Sequence, residues 1–282
     1  MKAFSGKVAA ITGAGSGIGR ALAGQLAAQG CALALADIEA QGLEHTRADI
    51  AARHDVAVTT ANLDVSDRAA VEAWAAQVVA DHGRVNLLFN NAGVALGASI
   101  AEVSYADFEW IVGVNFWGVV YGTKAFLPHL KAAGEGHIVN LSSLFGLLSL
   151  PSQGTYNATK FAVRGFTEAL RQELELEDCG VSATSVHPGG IKTNIARSAR
   201  FDPSVSAMTG QSAERAKAQF ERLFITSADS AATTILKAVK ANRRRVLVGP
   251  DAKLLDLAVR FAPSGYQRIA GLALGAYQRL AR

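Results

Sequence analysis

Cysteine is scarce: the 282 residues hold two, Cys31 and Cys179. They form no CxxC and no ligand cluster, which excludes a disulfide scaffold and a thiolate zinc site; both read as small core residues in a reduced, cytoplasmic setting. The six histidines fall at no metal-ligand spacing, so no metal is expected, and His187 before Pro188 reads as packing. No charged n-region and apolar h-region precede the first strand at Lys7, and no apolar run reaches the roughly 18 residues of a spanning helix. Neither secretion nor a membrane span is expected. Internal repeats, low-complexity tracts and linkers are missing too. The net charge of +4 comes without interleaved basic and aromatic residues, which sets aside nucleic acid as a partner.

What the chain has is apolar mass in an alternating pattern. With 50% hydrophobic and 18% charged residues, it can bury a large core as one globular unit. Apolar, β-rich runs occur at Lys7–Thr12, Cys31–Ala36, Val56–Asn62, Val85–Asn90, Gly136–Leu141, Val181–His187 and Arg245–Val248. Helical patterns separate them, at 18–29 and roughly at 39–53, 67–82, 104–131, 154–178 and 227–242, with Ser66, Ser104 and Ser227 as N-caps. The central runs are continuously apolar, as in a sheet covered on both faces. The order predicts an α/β, doubly wound Rossmann fold: a seven-stranded parallel sheet with ligands at the carboxyl ends of its strands. The interval from Lys192 to Thr226 is the long exception, and its scattered Ile195, Phe201, Met208, Phe220 and Phe224 suit a substrate lid.

Two motifs carry chemistry. TGAGSGIG at Thr12–Gly19 lies between the first strand and the first helix. Gly13 permits a tight turn, Gly17 and Gly19 permit close approach of phosphate to backbone and of helix to strand, and the helix N-terminus around Ser16 and Ile18 offers free N–H groups to a pyrophosphate. Asp37 ends the second strand, where a dinucleotide site places a carboxylate on the ribose hydroxyls. The second motif pairs Tyr156 with Lys160, one helical turn apart, downstream of Ser143. An ammonium beneath the phenol draws its pKa from about 10 toward neutrality. Tyr156 then exchanges a proton with a substrate oxygen that Ser143 also hydrogen-bonds.

These motifs, with Asp64 in LDV, NNAG at 90–93, Asn115 in VGVNFWG and PGGIKT at 188–193, resemble those of the short-chain dehydrogenase/reductase family over most of the chain. The resemblance implies a catalytic set of Asn115, Ser143, Tyr156 and Lys160. It implies that Asp64 and Val65 hold adenine, that Asn91, Ala92 and Gly93 back the adenine ribose, and that Pro188, Gly189, Ile191 and Thr193 take the nicotinamide side. Lys160 holds the nicotinamide ribose, while Asn115 kinks its helix and carries a water that relays protons to Lys160. Asp37 repels a 2′-phosphate and neither Ser16 nor Ile38 is basic, so NAD is expected over NADP; Arg20 and Arg47 are the cations whose reach would reverse this. Val94, Leu144, Phe145 and Gln153, with Ala95, Leu96, Leu147 and Leu148, surround Ser143 and Tyr156 and point to a hydrophobic secondary alcohol or its ketone, interconverted by hydride transfer. An NADP-dependent carbonyl reductase, a non-redox dehydratase or epimerase, and a non-catalytic cofactor-binding protein remain the alternatives.

Beyond residue 250 the chain departs from the family, whose members mostly end there in a tail that builds one interface of a tetramer. From Arg243 onward, eight Lys or Arg face two Asp, a net of +6. Amphipathic helices are expected at Asp251–Phe261 and Ser264–Leu280, the second with Tyr266, Ile269, Ala273, Tyr277 and Leu280 on one face. The division is a dinucleotide-binding domain over 1–250 and an extension over 251–282. Docking on its own subunit or a neighbour is preferred to an anionic membrane surface. A homodimer through the helices containing Asn115 and Tyr156 is expected rather than a tetramer.

Overall fold

Side chains alternate between the faces of a strand, so a strand apolar at every position must be covered on both sides. The computed structural model, which describes residues 1–210 and 224–272, has that layered form. In chain order it contains β1 (Val8–Thr12), α1 (Gly17–Ala27), β2 (Ala32–Asp37), α2 (Ala40–Ala51), β3 (Val58–Asn62), α3 (Arg68–His82) and β4 (Leu87–Asn90). Next come β5 (Leu96–Gly97), α4 (Tyr105–Val112), α5 (Gly118–Ala132), β6 (Gly136–Leu141), α6 (Gly154–Glu177), β7 (Val181–Pro188), β8 (Ile191–Lys192), β9 (Arg200–Phe201) and α7 (Pro203–Thr209). The chain continues through β10 (Thr226–Ser227), α8 (Ala228–Lys240), β11 (Arg245–Val248) and α9 (Pro250–Phe261), and 265–272 are again helical. Seven strands make one parallel sheet in the order β11-β7-β6-β4-β1-β2-β3.

Ala9 and Ile11 of β1, Leu33 and Leu35 of β2, and Leu87 and Phe89 of β4 face one core with Leu22, Leu26 and Ile235 of the covering helices. Val8, Ala10, Ala34 and Leu88 face the other, with Val71, Trp74, Phe126 and Leu170. Each such Leu or Phe removed from water contributes about 1.5–3 kcal/mol, so the strands are fixed in register by what lies on both faces. The chain leaves β1 toward β2 and β3, then returns to β4 on the other side of β1. That reversal opens a crevice at the carboxyl ends of β1 and β4.

Several expectations need correction. Ser66 does not cap α3: its hydroxyl and amide both donate to Asp64 Oδ1, at 2.7 and 2.9 Å, and Asp67 caps the helix by accepting from Ala70 N. The helix expected over 104–131 is interrupted by a π-helical turn at Gly113–Trp117, which carries Asn115 to the crevice. The described parts of the interval after Lys192, up to residue 210 and from residue 224, hold β9, α7 and a parallel pairing of β8 with β10, while Phe220 lies outside the described residues. In the extension, Val259 and Tyr266 pack against Leu144, Leu147 and Leu148, and the Tyr266 hydroxyl accepts from Ser149 N at 3.0 Å. Tyr266 and Ile269 do not share a buried face, since Ile269 is 70% exposed; Ala273, Tyr277 and Leu280 lie outside the described residues. No helix among these is long and apolar enough to cross a membrane.

Candidate active site

The crevice is a cavity of about 460 Å³. Its first half is built from backbone. The Thr12 hydroxyl donates to Phe89 O and accepts from Asn91 N and Ala92 N, both at 3.0 Å. Asn91 Nδ2 returns bonds to Thr12 O and Gly13 O at 2.8 and 3.1 Å. The Asn91 side chain therefore braces the glycine turn. That turn is tight: Gly13 sits at φ +65° and a Cβ there would lie 2.9 Å from Ala92 Cα, while a Cβ on Gly19 would overlap the Gly13 carbonyl oxygen. Asp37 accepts from Gly15 N at 2.7 Å and Glu39 N at 2.9 Å, which sets its carboxylate on the rim. Ser16, Gly17, Ile18, Ile38, Asp64, Val65, Gly93, Pro188, Gly189, Ile191 and Thr193 line the same space. Gly19 lies behind the lining, where it supports the turn.

Arg20 and Arg47 do not reach this space. Arg20 donates to Gly15 O, Gly42 O and Thr46 Oγ1, and Arg47 pairs with Glu44 on the surface. Lys160 is the one cation in the described lining, against the carboxylates of Asp37, Glu39 and Asp64. A backbone cradle that leaves no room for side chains, a rim carboxylate and the absence of a rim cation in the described lining together suit a dinucleotide without a 2′-phosphate.

Ser143, Tyr156 and Lys160 meet on the opposite wall. Ser143 lies two residues past β6 and caps a short 3₁₀ turn, accepting from Phe145 N at 3.1 Å. His187 of β7 stands behind it: its Nδ1 lies 3.1 Å from Ser143 O and its Nε2 3.0 Å from Ser185 Oγ. Burial holds the imidazole pKa down to about 4, so a neutral ring links β7 to the turn that follows β6. Tyr156 is 8% exposed and meets Phe145 edge to face at 5.9 Å. Lys160 Nζ donates to Leu141 O at 3.0 Å and lies 5.6 Å from the centre of the Tyr156 ring. Burial pushes the phenol up to about 12, against a lowering hydrogen bond from Ser143, and drives the ammonium down to about 8. The expectation of a phenol drawn to neutrality by Lys160 is thus corrected. The ammonium is bonded to a carbonyl rather than set against the phenol oxygen, and desolvation is the larger effect. Asn115 is fully buried; it accepts from Val94 N at 2.8 Å and donates to Val94 O at 2.9 Å and Thr159 Oγ1 at 3.3 Å, fixing the peptide at the mouth of the second half.

Residues 7–203 match the family model described as short chain dehydrogenase. The chain belongs to the short-chain dehydrogenase family. It is 49% identical over 276 residues to a Mycobacterium tuberculosis protein named as an oxidoreductase, SadH, covering 97% of this chain and 98% of the relative. A Burkholderia phymatum short-chain dehydrogenase/reductase solved with NAD is 35% identical, with a TM-score of 0.85 over 95% of this chain and 97% of that one. An alcohol dehydrogenase from Thermococcus sibiricus, solved with 5-hydroxy-NADP, is 30% identical, with a TM-score of 0.70 over 86% and 95%.

In this short-chain dehydrogenase the second half of the cavity is the less expected one. Val94, Ala95, Phe145 and Gln153 line it as foreseen. Leu144 does not: it turns away into the satellite core with Leu147, Leu148, Val259 and Tyr266, because a 3₁₀ turn points successive side chains in different directions. Leu96 is likewise buried in a neighbouring cluster. Trp110, Val114, Ile195, Ser198 and Phe224 are also in the lining. No local signal marked Trp110, which belongs to the helical stretch read for Asn115 and for its interface. Arg200 lies 3.6 Å over the Trp110 ring and pairs with Asp107 at 2.9 Å, while Arg200 N donates to Ala95 O and Asp202 N to Gly97 O. These contacts pin the start of the long interval across the cavity mouth.

Proposed function

We propose that this chain is an NAD-dependent oxidoreductase that interconverts a hydrophobic secondary alcohol and its ketone. The observation that carries this reading is a single cavity with Ser143, Tyr156 and Lys160 on one wall and the Gly13–Ile18 turn with Asp37 on the other. Asp64 and Val65 would hold the adenine end of NAD along that second wall, and the cofactor would supply two-electron redox chemistry at the substrate carbon. The protein's own groups handle the proton. Kept protonated at neutral pH by burial, Tyr156 donates from its hydroxyl to a ketone oxygen and, in reverse, recovers that proton from the alcohol. Ser143 Oγ hydrogen-bonds the same oxygen and fixes its position, while the Lys160 charge lowers the cost of the phenolate as the proton leaves. Asp37 takes the ribose hydroxyls and disfavours a 2′-phosphate, so NAD is preferred to NADP. Trp110, Phe145 and Phe224 beside Val94 and Val114 suit a neutral, apolar substrate.

The same reading includes a homodimer through the helices that carry Asn115 and Tyr156. Trp117, Phe161 and Leu176 are 45, 39 and 88% exposed on them, and Trp117 stacks on Tyr121 at 5.6 Å, a pattern that fits a two-fold helix pair. The test of the chemistry is Tyr156→Phe, followed by the absorbance of reduced nicotinamide across a panel of secondary alcohols and ketones. Turnover falls about a hundredfold or more while NAD binding is unchanged; near wild-type rates would remove the phenol from the mechanism.

A further inference from the structure

The turn after β7, Pro188–Ile191, is held by residues 225–226, by Val248 and by Asp251. Gly189 N donates to Val248 O at 2.9 Å, and Gly190 O accepts from both Ile225 N and Thr226 N at 3.1 Å. Gly190 N donates to Asp251 Oδ2 at 2.6 Å, and Asp251 belongs to the first turn of α9, in the extension. Two glycines make room for that carboxylate: a Cβ on either Gly189 or Gly249 would overlap it. Gly249 also needs its φ of +99°, a conformation that a residue with a side chain resists. The other oxygen, Asp251 Oδ1, is buried with no hydrogen-bond partner among the described residues. An unpaired buried carboxylate oxygen is costly. A fold that keeps such a group, and clears two glycines around it, delivers one acceptor to one amide of the turn that lines the cavity.

We propose that Asp251 is a positioning residue for the nicotinamide half of the cofactor site, so that the carboxyl-terminal extension takes part in cofactor binding. This rests on the NAD reading above. Asp251 fixes Gly190, Gly190 fixes the entry to β8, and β8 pairs with β10 at the exit of the interval 192–226. One carboxylate therefore sets both the wall beside Ile191 and Thr193 and the pairing of β8 with β10. The adenine half, built on Gly13–Ile18, Asp37 and Asp64, has no contact with it.

Calorimetric titration of NAD and of ADP, which lacks the nicotinamide half, tests the assignment. In Asp251→Ala, NAD binding weakens about tenfold or more and ADP binding stays within about twofold of wild type. Asp251→Asn keeps an oxygen that reaches Gly190 N and restores NAD binding to within about threefold. Unchanged NAD affinity in Asp251→Ala overturns the proposal, as does equal loss of NAD and ADP, which marks general disruption. If Asp251→Ala does not fold, amide exchange on the wild type decides: NAD slows exchange at Gly190 and Ile191 more than ADP does, and equal protection by the two overturns the proposal. A wild-type protein that binds neither nucleotide defeats the cofactor reading and the proposal together.

Discussion

The two halves of the cavity are made differently. On the cofactor side, backbone groups do the holding: Thr12, Asn91 and Ala92 lock a glycine turn at the ends of two neighbouring strands. Strand ends inherit the rigidity of a sheet whose residues are packed on both faces. On the substrate side, the wall is assembled from two-residue pairings, β5 with β9 and Ala98 with Gln153, and from side chains such as Arg200 over Trp110. Short pairings and partly exposed contacts open at lower free energy than a core sheet. The difference teaches that one half of the cavity is fixed by its backbone while the other is lightly held by side chains and short pairings.

Three substitutions would break or sharpen this contrast. Gly19→Ala carries the largest expected effect, because its new Cβ overlaps the Gly13 carbonyl oxygen. NAD affinity drops about a hundredfold or more, with a lower unfolding temperature; titration and thermal melts that leave both near wild type would mean the turn is not rigid. Asp37→Ala comes next. It removes a rim carboxylate and narrows the ratio of kcat/KM for NAD over NADP by about tenfold, and steady-state kinetics with both cofactors check this; an unchanged ratio would free Asp37 from cofactor choice. Arg200→Ala has the smallest effect. Arg200 is half exposed and its partners Trp110 and Asp107 are partly exposed, so each contact contributes up to about 1 kcal/mol. The substrate KM rises by about threefold while the KM for NAD stays level. A matching rise in the KM for NAD would show that the halves are mechanically coupled.

The same contrast governs how much could be read from residue order. Tight turns and i,i+4 pairs are local, so Gly13, Asp37, Tyr156 and Lys160 could be placed together before any geometry was known, and the sheet followed from seven apolar runs. Trp110 reaches the cavity only through the packing of distant segments, which no local pattern encodes, whereas Phe224 and Ile195 stood out as apolar residues in the interval after Lys192. Leu144 shows the opposite failure. Its position next to Ser143 suggested the cavity, but one residue of 3₁₀ rotation delivers it to the extension instead. The acidity of Tyr156 was misjudged for a related reason: proximity to Lys160 is visible in the spacing, but burial of both groups is not, and burial wins.

The hydrogen bonds that finish the site also impose an order on its making. Thr12 emerges early from the ribosome but finds its amide partner, Asn91, 79 residues later, so β1 and the turn after it wait, half bonded, for β4 to be synthesised. Gly190 waits a further 61 residues for Asp251. Pairing between such distant segments is slow because a long loop must close first. A nascent chain that has already assembled its sheet therefore still lacks the bond from Gly190 to Asp251, and the dinucleotide crevice is completed from its amino-terminal edge to its carboxyl-terminal one, with the extension as the closing piece.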